Sequence, residues 1–219
     1  MEKTGLLLIV LTIAIFANGQ TVKIQGGTSM STLDCQYKGF YVDSPWDETL
    51  IGYSIFAGID YLDKPYFNLS SNIGMIRKGG KGAIPLTDYG GITMRNFTDK
   101  PTLDYLSLNT TIDFKYRIRE TVTPFIGIGP RFDYLLNNSK HFDELKELGE
   151  FNDISFGLIL GGGLKYDISD FQIGLRADYY LDFPKYKKIV DWTIEDTGMG
   201  GKISIKTFTV NLSIGYRLK

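Results

Sequence analysis

Between Ile154 and Phe183 two runs of alternating residues meet at Asp167-Ile168-Ser169-Asp170. In the first run Phe156, Leu158, Leu160, Leu164 and Tyr166 share one face, and Gly157, Gly161, Gly163, Lys165 and Asp167 fall on the other. In the second, Phe171, Ile173, Leu175, Ala177, Tyr179, Leu181 and Phe183 stand opposite Gln172, Gly174, Arg176, Asp178, Tyr180 and Asp182. A side-chain period of two is that of a β-strand. Two such runs around a short Asp/Ser turn predict an antiparallel hairpin.

The aromatic residues on the apolar face narrow this further. Tyr166 and Phe171 flank the turn, Phe156 and Phe183 lie at the far ends, and aliphatic residues fill the interval. A soluble sandwich has no reason to place rings at two heights. A strand crossing a bilayer has one, because aromatic rings settle at both lipid–water interfaces. The apolar face is therefore expected to meet lipid, and the charged, glycine-rich face a lumen.

The N-terminus fits that destination. Residues 1–19 have the form of a secretory signal: Lys3, an apolar run from Leu6 to Phe16, and the small-x-small site Ala17-Asn18-Gly19. The apolar run is short of the ~20 residues that a spanning helix needs. Gln20 is then the first mature residue, and residues 20–219 form one barrel domain with no second module. Gln20 rather than a cysteine stands directly after the cleavage site, and the lone Cys35 has no second cysteine for an internal disulfide. The formal net charge of −1, without a basic tract, gives no sign of nucleic acid as a partner. The 14 Tyr, 14 Phe and 25 Gly suit a membrane barrel.

The same rhythm recurs along the chain. Strands are predicted over residues 21–34, 49–61, 66–78, 103–118, 122–136 and 205–218, which with the hairpin makes about eight, the smallest usual outer-membrane barrel. The connections near 63–65, 119–121 and 167–170 are short, whereas those at 36–48, 79–102, 137–153 and 184–202 are long. Short periplasmic turns and long extracellular loops are how such barrels are built. In the third long loop, Phe142, Leu145 and Leu148 recur at helical spacing. The fold class is thus an all-β, transmembrane, antiparallel up-and-down β-barrel.

An interior of eight strands is wide enough only for side chains to fill it. The residues placed inside are Asp113, Lys115, Arg117, Arg131, Asp133, Lys165, Asp167, Arg176, Asp178, Asp182 and Arg217. Their signs nearly balance, which suits a plug of ion pairs better than a selective pore. Gly127-Ile128-Gly129 and Gly161-Gly162-Gly163 fall mid-strand, without the helix and lysine of a phosphate loop, and are expected to relieve crowding or permit curvature. His141, the one histidine, has Ser139 and Asp143 beside it, but two-residue spacing in a loop does not make them converge as a triad. No catalytic residue, cofactor site or metal site is expected, one His and one Cys being too few for a ligand set. Tyr37, Tyr41, Trp46, Tyr186 and Trp192 are the loop residues placed to touch a partner or lipid headgroups.

Several runs carry a family likeness. Asn68–Gly80 (NLSSNIGMIRKGG), Leu103–Tyr116, Thr123–Pro130 (TPFIGIGP), Leu160–Tyr166 (LGGGLKY), Ile173–Phe183 (IGLRADYYLDF) and the closing Ile214–Lys219 resemble the PorT-type outer-membrane β-barrel family of Bacteroidetes. The resemblance implies an eight-stranded barrel inserted from the periplasm by the general barrel-assembly machinery. Some members are similar to components of gliding and type IX secretion machines, and the family motif brings no catalytic residue. The expectation is a non-enzymatic barrel of a Gram-negative outer membrane with a structural or interaction role. Outer-membrane lipid and other envelope proteins are its expected partners, and the oligomeric state stays open. A secretion or gliding component, a small pore and a lipid-modifying enzyme are the alternatives.

Overall fold

A computed structural model describes residues 20–38, 45–87, 93–118, 121–143, 150–183, 188–194 and 199–218. Residues 1–19, read as the export signal, lie outside them.

Eight strands close into a barrel: β1 (Thr21–Lys38), β2 (Leu50–Asp63), β3 (Phe67–Gly79), β6 (Thr102–Lys115), β7 (Val122–Asn138), β9 (Ile154–Ile168), β10 (Phe171–Asp182) and β12 (Met199–Arg217). Each pairs antiparallel with its successor, and β1 meets β12 from Thr21↔Arg217 to Lys38↔Gly200, so the sheet has no free edge in the membrane. The turn between β9 and β10 is Ser169-Asp170, and Ser169 takes a left-handed φ of 54°.

Four further strands stand in the long connections, where the sequence pattern predicts loops. β4 (Gly82–Thr87) and β5 (Thr93–Asp99) form a hairpin of their own. β8 (Glu150–Phe151) pairs with β11 (Lys188–Ile194), which pairs with the first part of β12. β12 accordingly begins at Met199 rather than at 205, and β1 runs to Lys38 rather than ending at 34. The third loop does hold a helical turn at residues 141–143, with Phe142 N donating to Ser139 O at 3.0 Å. At the other end β6 stops at Lys115 rather than 118, and Tyr116 N donates to Pro124 O as the chain turns.

Alternation sorts the two faces. Outward-facing Ile24, Ile55, Ile126, Leu212 and Ile214 are all more than half exposed, so the apolar surface points away from the barrel axis. Aromatic rings bound this belt on both sides: Phe171 meets Tyr216 at 5.3 Å near the short turns, and Phe132, Phe156 and Phe183 pack in sequence at 6.0 and 6.1 Å near the loops. On β12 the outward residues are apolar from Phe208 to Leu218, about the 9–11 residues that a tilted strand needs to cross a bilayer. Just past that limit the outward face turns polar. Lys206 lies 3.8 Å from Asp34, and Arg77 makes a bidentate pair with Asp104 at 2.7 and 2.8 Å. β1 and β12 continue beyond this boundary, where β12 also pairs with β11 and through it with β8.

Candidate functional site

Inward positions on the eight strands bring distant charges together in three clusters. Nearest the short turns, Lys23 Nζ donates to Asp60 Oδ1 at 2.6 Å and to Ser70 Oγ at 2.7 Å, while Lys165 Nζ donates to Asp60 Oδ2 at 2.8 Å. In the middle, Arg176 Nε donates to both oxygens of Asp178 at 2.7 and 2.9 Å, and its Nη1 donates to Asp113 Oδ1 at 2.9 Å. Towards the loops, Lys78 and Arg131 share Asp133, and Arg131 also reaches Asp182, which accepts from Ser155 Oγ at 2.9 Å. These clusters contain five cations and five carboxylates. Charges taken out of water are tolerated only when paired and hydrogen-bonded, which the equal count allows.

Aromatic faces line the clusters. The Phe125 ring lies 5.3 Å from Lys165 Nζ and 5.4 Å from Arg176 Cζ. Tyr105 and Tyr180 flank Lys78 Nζ at 4.9 and 5.0 Å, and Arg131 Cζ sits 4.7 Å over Tyr180. Such contacts stabilise a desolvated cation further. The mid-strand glycines make the room: a Cβ at Gly127 would collide with the Asp113 carboxylate, and one at Gly161 with that of Asp178. Their role is space inside the barrel.

Above the charges the interior changes character. Leu33, Ile76, Leu103, Leu135, Ile159 and Ile203 form an apolar core across the loop end of the lumen, and Phe142 is fully buried in it. Asp99, at the end of β5, fastens the cover. Its Oδ2 accepts from Trp46 Nε1 at 2.9 Å and lies 3.0 Å from His141 Nε2, and the two rings meet edge to face at 6.1 Å. Three of the long connections are tied through that one buried carboxylate. Two small cavities within the barrel, one beside Lys23 and Lys165 and one beside Asn72 and Asn211, leave about 10 Å³ each, room for about one water.

Of the residues placed inside from sequence, Asp113, Arg131, Asp133, Lys165, Arg176, Asp178 and Asp182 take part in these clusters. Three others sit at the short-turn rim: Lys115 pairs with Asp63, and Arg217 Nη2 lies 3.1 Å from Asp167 Oδ1. Arg117 is not in the lumen. It is exposed beyond the end of β6, because the strand stops three residues earlier than its alternation suggests. Lys23, Asp60 and Lys78 belong to the network although sequence reasoning left them out. Asp60 and Lys78 share parity with inward neighbours on their own strands, so the signal was present.

The loop residues fare unevenly. Trp46 is half-buried and packs against the apolar core instead of presenting its ring outward. Tyr37 on β1 and Trp192 on β11 both pair with Gly201 of β12 through the backbone. Tyr41 and Tyr186 lie outside the described residues. Ser139, His141 and Asp143 do not converge: Ser139 Oγ accepts from Thr102 N at 3.2 Å, Asp143 accepts from Asn138 Nδ2 at 2.8 Å, and His141 faces Asp99.

No family model and no curated protein sequence matches this chain. Among solved structures it is similar to the outer membrane protein OprG of Pseudomonas aeruginosa, with a TM-score of 0.55 at 10% identity, covering 92% of this chain and 97% of that one. Neisserial surface protein A (NspA) aligns with a TM-score of 0.48 at 12% identity over 90% of this chain and 97% of that one. Ail, the attachment invasion locus protein of Yersinia pestis, aligns with a TM-score of 0.44 at 17% identity over 92% and 99%. The fold is that of the small eight-stranded outer-membrane β-barrels, and the likeness to OprG carries it. Fold alone assigns no activity.

Proposed function

We propose that this chain is a non-enzymatic barrel of a Gram-negative outer membrane, exported by residues 1–19 and working through its outer rim as a structural or interaction protein. The observation that carries this reading is the filled interior. Paired charges fill the barrel from the short turns up to the apolar core, that core fills the loop end, and the two cavities among the described residues leave room for about one water each. A barrel filled in this way among its described residues offers a partner its outer surface. Here that surface is enlarged by β4–β5 and by the β8–β11–β12 extension.

The PorT-type resemblance favours a finer version, a component of a secretion or gliding complex. The pore reading has little support from a lumen this full, and the enzyme reading little from a Ser139–His141–Asp143 set that does not converge. The test is a cross-linked pull-down of tagged protein from native outer membranes. A stoichiometric envelope protein, lost when β4–β5 is replaced by a short turn, is the expected result. Recovery of the barrel alone at every cross-linker length would overturn the interaction role.

A further inference from the structure

The geometry points to a binding site for one small monatomic anion, of the chloride class, inside the barrel between Lys23, Lys165 and Arg176. One of the two small cavities lies there, lined by Lys23, Gln25, Phe125, Lys165, Gly174, Arg176 and Ser213 among others. Three cationic side chains border it and no carboxylate does. Asp60 accepts from both ammoniums without lining the cavity, and Asp113 and Asp178 bind Arg176 through Nη1 and Nε. The remaining nitrogen, Arg176 Nη2, is buried without a hydrogen-bond partner. Buried guanidinium nitrogens are donors and nothing else, so this one calls for an acceptor.

Lys23 and Lys165 have donors to spare as well. An ammonium carries three N–H groups. Lys23 places two of them, on Asp60 and Ser70, and Lys165 places one, on Asp60. Ser213 adds a hydroxyl that can turn towards the cavity. The lining therefore carries donors and positive charge, and the neutralising carboxylates are not part of it. The space of about 10 Å³ suits a single small occupant, a halide or a water, better than a polyatomic anion. Of the two, the halide uses the positive wall, because a charged acceptor makes the stronger hydrogen bond with cationic donors. This site is independent of the outer rim, and its failure would leave the interaction role untouched.

The test is diffraction from the full-length barrel crystallised in sodium bromide, with data collected at the bromine edge. One anomalous peak within hydrogen-bond distance of Lys23, Lys165 and Arg176 is expected. Gly174→Ala should abolish it: the added methyl enters the cavity, and its first neighbour is the Ser213 hydroxyl, which can rotate aside. The wild-type barrel in detergent should also melt several degrees higher in sodium chloride than in sodium gluconate at equal ionic strength, and Gly174→Ala should lose most of that difference. Unlabelled density in the wild-type cavity, or bromide at surface lysines only, would overturn the assignment. So would equal melting in the two salts.

Discussion

The two halves of the barrel interior are sealed by opposite means. From the short turns through the middle and up to the apolar core the filling is ionic: every carboxylate of the Lys23–Asp60–Lys165, Asp113–Arg176–Asp178 and Lys78–Arg131–Asp133–Asp182 clusters has a cationic partner. Near the loops the filling is Leu, Ile, Phe and Tyr under a cover fastened at Asp99. An ionic filling depends on each partner, because removing one leaves an uncompensated charge out of water. An apolar filling depends on volume and forgives changes that conserve it. The two halves should therefore respond differently to single substitutions of similar size.

The largest effect is expected from Asp133→Ala, which strands Lys78 inside the barrel and leaves Arg131 with Asp182 alone. It should cost about 3–5 kcal/mol in reversible urea unfolding from detergent or lipid. Outside the lumen, Leu212→Arg places a charge on the lipid face midway along β12, opposite Leu175. About 2–4 kcal/mol and impaired membrane assembly should follow, read as loss of the compact band on unheated gels. Unaltered assembly would mean that the outward face does not meet lipid.

Smaller changes belong to the cover and the apolar half. Asp99→Ala removes the shared acceptor of Trp46 and His141 and should cost about 1.5–3 kcal/mol. Limited proteolysis should then cut faster within residues 139–150. Ile203→Val, by contrast, should cost only about 0.5–1.5 kcal/mol, because one methylene is lost from a core that can partly close around the gap. If Ile203→Val proved as damaging as Asp133→Ala, the division between the two halves would fail.

The same division explains how much of the molecule could be read from the sequence. The eight spanning strands and their inward parity were legible because a lipid-facing surface forces alternation, most plainly in β9 and β10. The β4–β5 hairpin and the β8–β11 pair were not, since strands outside the membrane are under no such pressure and Gly82 and Pro85 interrupt the pattern of β4. The apolar core was hidden for a related reason. Leu33, Ile76, Ile159 and Ile203 occupy inward positions that are polar elsewhere on the same strands, so they read as lapses in the alternation rather than as a core. Which inward charges meet across the barrel depends on closure and register, neither of which a single strand contains. The union of Trp46, Asp99 and His141 joins three connections and leaves no local signature.

The most direct test of a filled lumen is conductance of the purified, folded barrel in planar lipid bilayers. Membranes with verified insertion should stay electrically silent in molar potassium chloride. Stepwise ohmic openings that change size when Arg176 or Asp178 is neutralised would contradict it, because current would then be passing through the clusters described as its seal.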